Sequence, residues 1–229
     1  MVGPLFFICY SRLNLFVPTC PMVSRHTHIH LVRHGQVDNP RDVVYGRLPG
    51  FRLSGKGLNQ ARSAAVFFNN RPLAAMYSSP LQRARQTANA LRRASSRHKI
   101  KISSLITEVY SPFEGRPSAE ADALNGDVYT GAGPEFEQPE DILERSLTFF
   151  RRITTRYGGE HVAAVTHGDV ITFVLLWAKD CPLLPKYKGR LGPLGIRRGY
   201  PAHGSVTTFA VDTDHAHTKP VVSYWEPDG

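Results

Sequence analysis

The sequence predicts an α/β fold: a three-layer α/β/α sandwich around a mostly parallel sheet. Short apolar segments with strand character alternate with longer segments whose apolar residues recur at helical spacing. Parallel strands need crossover connections, and the helices in those connections cover both faces of the sheet. The length of 229 residues suits one α/β domain. We therefore expect a single domain over residues 25–229, preceded by a leader at residues 1–24.

The first strand and the first helix are predicted from apolar spacing. Residues 28–32 alternate and run apolar into Arg33, which is typical of a strand that ends in a loop. Residues 46–57 are rich in Gly, Pro and Arg and predict a loop. A helix is expected over 56–69, where the apolar residues at helical spacing are Leu58, Ala61, Ala65 and Phe68.

A second strand, a second helix and a third strand are expected next. Residues 74–78 read as a short buried strand, and Pro80 suits the first position of a helix that runs to about residue 93. One face of this helix carries the apolar residues Leu81, Ala84, Ala88 and Leu91. Residues 99–106 alternate in hydropathy and predict a strand.

The second half begins with an acidic, Gly- and Ala-rich stretch at about 114–138, which predicts a loop insertion with one short helix. A stronger helix follows, with Pro139 near its start and Gly158 at its end. The remaining expected elements, in chain order, are a strand at 161–166, a helix from 167 to about 179, a basic loop at 181–202, and strands at 206–211 and 220–225.

The charge is divided unevenly along the chain. Of its 28 basic residues 16 lie before Glu108, together with only two of its 19 acidic residues. This division indicates an anionic partner, which could be a nucleic acid, a membrane surface, or a phosphorylated or acidic ligand. A hydrophobic content of 41% excludes a disordered chain.

Cysteine usage and hydropathy indicate in which cellular compartment the protein is expected. The three cysteines are widely spaced and form neither a disulfide framework nor a paired zinc motif, which favours a reducing, cytoplasmic compartment. No uncharged apolar run approaches the roughly 20 residues that span a bilayer. Residues 1–24 could be an organelle-targeting segment, a disordered leader, or the product of an early start, with Met22 as the true beginning.

Residue types that suit phosphoryl transfer follow the predicted strands. Arg33 and His34 follow the first strand, Arg83 the second, Glu108 the third and His167 the fourth. In open α/β sheets ligands bind where strands end and helices begin, so these residues can meet in one pocket. Arginine binds phosphate oxygens, histidine can be a covalent nucleophile, and a carboxylate near phosphate can protonate a leaving oxygen. This chemistry needs no metal.

Several segments resemble, in order, motifs of the histidine phosphatase superfamily, in its phosphoglycerate mutase-like branch. They are Leu-Val-Arg-His-Gly at 31–35, Leu-Ser-Gly-Lys-Gly-Leu-Asn-Gln-Ala at 53–61, Ser-Pro-Leu-Gln-Arg-Ala-Arg-Gln-Thr-Ala at 79–88, Glu108 with Glu-Gly at 114–115, Val-Thr-His-Gly at 165–168 and Gly-Ser-Val-Thr at 204–207. The resemblance covers residues 28 to 225 and implies a phosphoglycerate mutase-like fold.

The resemblance also implies a role for each matching residue. His34 would be the phosphorylated nucleophile, and Glu108 the proton donor and then the base for water. Arg33, Arg83 and His167 would hold the phosphoryl oxygens. From the residue chemistry alone, Arg33, Arg83 and a protonated His167 are expected to lower the pKa of His34 and keep its ring neutral.

Three departures from the family's pattern bear on these assignments. Asn39 resembles a phosphate-contacting asparagine of the family, but it lies one position nearer to His34 than in the commonest spacing. The segment after Glu108 is one residue shorter than the commonest form, and Pro112 stands where a glycine is frequent. Glu114 is the competing candidate for the acid, although its place matches the trailing Glu-Gly.

The favoured function is a metal-independent phosphomonoester hydrolase with a small-molecule phosphoester substrate and no cofactor. A phosphoglycerate mutase is the first alternative, but residues 39–47 lack its Trp-Asn and Thr-Gly-Trp pattern and the insertion is short for a mutase. A non-catalytic anion-binding or regulatory module on the same fold is the second alternative. The oligomeric state is left open.

Two other patterns have ordinary explanations. His26, His28 and His30 alternate on one strand face like metal ligands, but no carboxylate or cysteine lies near them, so no metal site is predicted. The basic cluster at 92–99 suits a solvated helix end and lacks the aromatic residues that nucleic-acid binding uses. Neither a nucleic acid nor a membrane is therefore an expected partner.

Overall fold

The computed structural model describes residues 26–95, 99–215 and 218–227. The predicted leader at 1–24, and its two cysteines, lie outside these residues. Six strands form one sheet: β1 His26–Arg33, β2 Ala75–Ser78, β3 Ile100–Ile102, β4 His161–Thr166, β5 Val206–Asp212 and β6 Val221–Trp225. The five α-helices of the described residues are α1 Gly55–Val66, α2 Gln82–Ser95, α3 Ser118–Ala123, α4 Pro139–Arg156 and α5 Gly168–Ala178.

The strand order is β3-β2-β4-β1-β5-β6. The four strands from β3 to β1 are parallel to one another, whereas β5 and β6 pair antiparallel at the other side. Parallel strands buried on both faces are apolar throughout, and β4 is buried at every position after His161. The expected mostly parallel sheet is confirmed.

Two hydrophobic clusters separate the three layers. Helices α1 and α2 pack on one face of the sheet, where Phe68 and Leu91 meet Val32 and Met76. Helices α4 and α5 pack on the opposite face, with Phe149 and Phe173 among the largest fully buried side chains. The central strands β2 and β4 therefore send alternate residues into different clusters, which confirms the predicted α/β/α sandwich.

Local capping explains where the main helices begin. Ser54 Oγ accepts a hydrogen bond from the Gly57 amide at 3.0 Å at the start of α1. At the start of α4, the Asp141 carboxylate accepts from the Gln138 amide at 2.8 Å, and Pro139 occupies the first turn. None of the helices in the described residues is long and apolar enough to cross a membrane.

The third strand was predicted too long. It ends at Ile102, and residues 104–106 form a 3-10 turn instead of continuing the strand expected over 99–106. The chain leaves the sheet edge after the Ser103 amide bonds to the Ser78 carbonyl at 2.9 Å, and the turn then buries Ile106 completely. Helix α2 also begins two residues after Pro80, because its first hydrogen bond runs from the Arg85 amide to the Leu81 carbonyl.

Candidate active site

The carboxyl ends of three adjacent parallel strands bring the predicted site together. His34 follows β1, His167 follows β4, and Arg83 lies in the first turn of α2 after β2. Glu108 arrives from the 3-10 turn, two residues beyond Ile106. His34, Arg83 and His167 are almost completely buried, and the side chain of Glu108 is 14% exposed.

The His34 ring has a defined tautomer. Its Nδ1 lies 2.8 Å from the Gly35 carbonyl oxygen, which can only accept a hydrogen bond, so Nδ1 carries the proton. Arg83 Nε donates to His34 Nε2 at 3.2 Å, so Nε2 is the unprotonated nitrogen that carries the lone pair. Burial, and after it the charges of Arg83 and Arg33, lower the pKa of His34. The ring is therefore neutral and available as a nucleophile.

A close backbone contact fixes the turn after His34. A Cβ added at Gly35 would lie 2.2 Å from the Gly57 carbonyl oxygen, so only glycine fits there. The Gly35 amide donates to Thr87 Oγ1 at 3.1 Å, and that hydroxyl donates to the Arg83 carbonyl at 2.9 Å. The turns that carry His34 and Arg83 are thus joined through one side chain.

Arg83 is the centre of the site. Its Nη2 donates to the Gly46 carbonyl at 2.8 Å and to His167 Nδ1 at 3.2 Å, and it lies 3.6 Å from Glu108 Oε2. The Tyr45 ring covers the guanidinium, with its centroid 4.7 Å from Arg83 Cζ. The loop at residues 45–47 therefore packs over Arg83 and covers the pocket on this side.

His167 is held by both ring nitrogens. Nδ1 accepts from Arg83, so Nε2 is the protonated nitrogen and donates to Ser79 Oγ at 2.8 Å. Burial lowers the pKa of His167, and the charge of Arg83 lowers it further. The expectation of a protonated His167 is wrong for the unliganded protein, because a buried imidazole beside a guanidinium stays neutral.

Glu108 has the electrostatics of a proton donor. Burial raises its pKa, and the nearby carboxylate of Asp169 raises it further, against the lowering effects of Arg83 and a hydrogen bond from the Val109 amide at 3.1 Å. Its Oε2 lies 3.4 Å from His167 Nδ1. The competing acid, Glu114, instead accepts from the Arg47 amide at 2.6 Å and supports the covering loop.

Arg33 and Asn39 differ in their placement. Arg33 is half-buried; its Nη1 donates to the Pro201 carbonyl at 2.6 Å, and its guanidinium lies 4.9 Å from the Tyr200 ring centroid. The hydrogen bonds of the Asn39 side chain both go to the Val43 backbone, at 2.9 and 3.4 Å. In the described part of the chain, no hydrogen bond or ion pair joins Asn39 to the other predicted site residues.

Several residues of the site were not predicted as functional. The Ser79 hydroxyl bonds to His167 Nε2 at 2.8 Å, and the centroid of the His203 ring lies 5.6 Å from that of His34. Asp169 accepts from Tyr200 at 2.5 Å, from Lys188 at 2.7 Å and from Tyr129. Ser79 and Asp169 stand inside or beside quoted motifs, and His203 immediately precedes one, so adjacency to a motif is the signal that could have found them.

A metal could be held only in the same place. One ligand atom each from His34, Glu108 and His167 lies within 4.8 Å of the other two, and no other such trio occurs among the described residues. Arg83 contacts all three side chains, so its positive charge already stands where a cation would bind. The histidines of β1 do not form such a trio, although His30 and His161 share a hydrogen bond of 2.9 Å.

The fold and this site define a histidine phosphatase. Residues 29–199 match the family model of the histidine phosphatase superfamily (branch 1), and the chain belongs to this family. The structure is similar to the native structure of mycobacterial glucosyl-3-phosphoglycerate phosphatase Rv2419c, with a TM-score of 0.70 and 21% identity over 89% of this chain and all of that one. It is also similar to Bacillus stearothermophilus YhfR, with a TM-score of 0.70 and 25% identity over 89% of this chain and 98% of that one.

Sequence relatives agree with the family. Uncharacterized protein Rv0525 of Mycobacterium tuberculosis (strain ATCC 25618 / H37Rv) is 35% identical over 154 residues, which are 63% of this chain and 75% of the relative. The metal-independent phosphoserine phosphatase of Arabidopsis thaliana is 30% identical over 169 residues, 67% of this chain and 69% of the relative. Other matches carry names that state a phosphatase or a hydrolase, among them an uncharacterized phosphatase PhoE of Bacillus subtilis (strain 168) and mycobacterial hydrolase 1, which agrees with the activity expected from the motifs.

Proposed function

We propose that this chain is a metal-independent phosphomonoester hydrolase that works through a phosphohistidine on His34. The observation that carries the proposal is the buried, neutral His34 ring, whose Nδ1–H donates a hydrogen bond to the Gly35 carbonyl while Nε2 accepts one from Arg83. The named phosphatases among the relatives support it. The substrate is proposed to be a small-molecule phosphoester.

In the first step, His34 Nε2 attacks phosphorus, and the bond between phosphorus and the leaving oxygen breaks. Arg33, Arg83 and His167 hold the three phosphoryl oxygens, where developing charge is stabilised by preorganised donors. Protonated Glu108 gives its proton to the leaving oxygen, so the alcohol departs neutral. The products of this step are the alcohol, phosphohistidine and the Glu108 carboxylate.

In the second step, Glu108 takes a proton from water as the water oxygen attacks phosphorus. The bond between phosphorus and Nε2 breaks, inorganic phosphate leaves, and both side chains return to their starting protonation states. Entry of a phosphate dianion provides a negative partner for His167, which favours its protonation during the reaction.

The test is a phospholabelling experiment. Purified protein with EDTA present is expected to release inorganic phosphate from an aryl phosphate, and a quenched reaction with a radiolabelled ester to contain acid-labile label. His34→Ala is expected to lose both, whereas exposed His215→Ala keeps both. Label or turnover in His34→Ala, or activity that disappears with EDTA, would overturn the mechanism.

The same preparation separates the two alternatives. A mutase transfers the phosphoryl group between positions of a phosphoglycerate and releases little inorganic phosphate. A non-catalytic module binds phosphate and neither transfers nor releases it. Product analysis on phosphoglycerates by ³¹P NMR distinguishes hydrolysis from both outcomes.

A further inference from the structure

A groove of about 530 Å³ adjoins the catalytic pocket. It is separate from the cover formed by residues 45–47 and lies on the side where Arg33 and His203 meet the start of α1. The lining residues that matter here are Arg33, Lys56, Gln60, Arg198, Tyr200 and His203. Its volume is within the usual range for small-molecule sites.

Two buried polar atoms at the inner end of the groove lack partners. Arg33 Nε and His203 Nε2 have no hydrogen-bond partner among the described residues, although neither atom is accessible in the unliganded protein. Arg33 Nε is always a donor, and a buried donor without an acceptor costs about 1–3 kcal/mol. Both side chains line the groove, so an anionic group bound there would lie beside two nitrogen atoms that the protein leaves unpaired.

The charge of the groove also favours an anion. Lys56 and Arg198 stand exposed along it, and Arg33 closes its inner end. Glu226 is the one acidic residue that lines it, and its Oε1 lies 3.9 Å from Arg198 Nε. The three basic side chains therefore outnumber the single carboxylate, and Lys56 has no ion pair to an acidic side chain in the described structure.

The groove and the nucleophile are separated by one side chain. The His203 ring lines the groove and lies 5.6 Å from the His34 ring, and Arg33 belongs to both the groove and the proposed phosphoryl pocket. One small molecule could therefore place a phosphoryl group at His34 and a second anionic group in the groove. Burial and the charges of Arg33 and Lys56 lower the pKa of His203 to about 3, so its ring binds as a neutral donor.

We propose that this groove binds a second anionic group of the substrate, a carboxylate or another phosphate, and so selects phosphoesters that carry two anionic groups. The proposal rests on the proposed phosphatase function, because it assigns a specificity element to the same site. Arg33 and His203 hold the second group at the inner end, and Lys56 and Arg198 attract it from the outer end.

The kinetic test uses two substrates that differ in one group, 3-phosphoglycerate and glycerol 3-phosphate. The measured quantity is the kcat/KM for 3-phosphoglycerate divided by that for glycerol 3-phosphate. Lys56→Gln is expected to lower this ratio about fivefold, which is the size of effect that a partly exposed charge pair has. The matched control is Arg152→Gln, which removes one charge from the exposed face of α4. A ratio that stays within about twofold of the wild-type value in Lys56→Gln and in Arg198→Gln overturns the proposal.

A binding measurement keeps the groove testable without turnover. Isothermal titration compares 4-phosphonobutyrate, which carries a carboxylate and cannot be hydrolysed, with 4-hydroxybutylphosphonate, which lacks the carboxylate. The wild-type protein is expected to bind the first more tightly, and Lys56→Gln to lose about fivefold of that preference. If the protein hydrolyses no ester, the proposed phosphatase function is wrong, and the titration alone tests whether the groove binds an anionic group. Equal affinities of the wild-type protein for the two phosphonates would overturn the proposal for the groove.

Discussion

Arg47 Nε donates a hydrogen bond to the main-chain carbonyl of Glu108 at 2.8 Å. The loop that covers the pocket is therefore tied directly to the segment that carries the proposed proton donor. Behind this contact, Glu137 accepts from Arg47 Nη2 at 2.7 Å and from Arg145 Nε at 2.9 Å. Arg145 also donates to the Leu105 carbonyl at 3.0 Å, so two arginines hold the backbone within the 3-10 turn and two residues beyond it.

Glu137→Gln is expected to lower kcat about tenfold while KM changes little, because a misplaced catalytic group costs rate rather than ground-state binding. Glu137 contacts neither His34 nor Arg83 in the described structure, so it is a positioning residue. Steady-state kinetics on an aryl phosphate checks this, with Glu144→Gln, at an exposed position in α4, as the control. A rise in KM with kcat unchanged would contradict the positioning role.

A buried ion pair ties the basic loop to the site. Lys188 Nζ lies 2.7 Å from Asp169 Oδ2, and both side chains are less than a tenth exposed. Asp169→Asn replaces one of the two accepting oxygens with an NH2 donor and leaves the Lys188 charge without an anionic partner. The free energy of unfolding is expected to fall by about 3 kcal/mol, measured by urea denaturation.

The control for this prediction is a double-mutant cycle. Lys188→Met in the Asp169→Asn background removes the unpaired charge and is expected to restore part of the lost stability. Lys186→Met, two residues away and exposed, is expected to restore none. Additive effects of the two substitutions would show that the pair is not coupled.

Particular residues show what could be predicted from the sequence. Strand and helix spacing places His34, Arg83 and His167 correctly, because parallel strands leave little freedom at their carboxyl ends. Asn39 was chosen by motif position alone, but its side chain closes a turn on Val43. The partners Ser79 and His203 come from segments far apart in the chain, and only tertiary packing brings them to the histidines. The protonation of His167 also depends on burial, which apolar patterns do not measure.

Because the buried His30 of β1 stays neutral in the folded protein, we expect the free energy of unfolding to fall at acidic pH. His30 is buried between Thr208 Oγ1 at 2.8 Å and His161 Nδ1 at 2.9 Å, and burial together with His161 and His28 lowers its pKa to about 3. The pKa of an unfolded histidine is about 6.5, so the unfolded chain takes up the proton first as the pH falls. The stabilisation that neutral His30 provides is complete above about pH 6.5. It is lost progressively as the pH falls toward the pKa of about 3 that His30 has in the folded protein.

His30→Gln should therefore make the free energy of unfolding less dependent on pH. Between pH 7 and pH 5 the wild-type protein is expected to lose about 2 kcal/mol more than the variant does. Urea denaturation at both pH values measures this difference. Exposed His215→Gln is expected to keep the wild-type dependence, and equal slopes for wild type and His30→Gln would contradict the prediction.

Glu108 gives the most direct test of the chemical step. Because burial raises its pKa, the protonated donor persists toward neutral pH, and kcat/KM should fall as the pH rises through that raised value. On the acidic side, His34 must stay neutral, and its lowered pKa extends activity to lower pH. Glu108→Gln removes the proton donor and should remove the alkaline limb of the profile.

The size of the Glu108→Gln effect should depend on the leaving group. An alkyl phosphate needs protonation of its leaving oxygen, and the loss is expected to be about 10²–10⁴-fold in kcat/KM, which reports phosphoryl transfer to His34 and not the later attack of water. A nitrophenyl phosphate releases a stable anion, so its kcat/KM should fall far less. Both esters are measured across the pH range with wild type, Glu108→Gln and Glu114→Gln. An equal loss for both esters would remove Glu108 as the general acid, and a leaving-group-dependent loss in Glu114→Gln would move that role to Glu114.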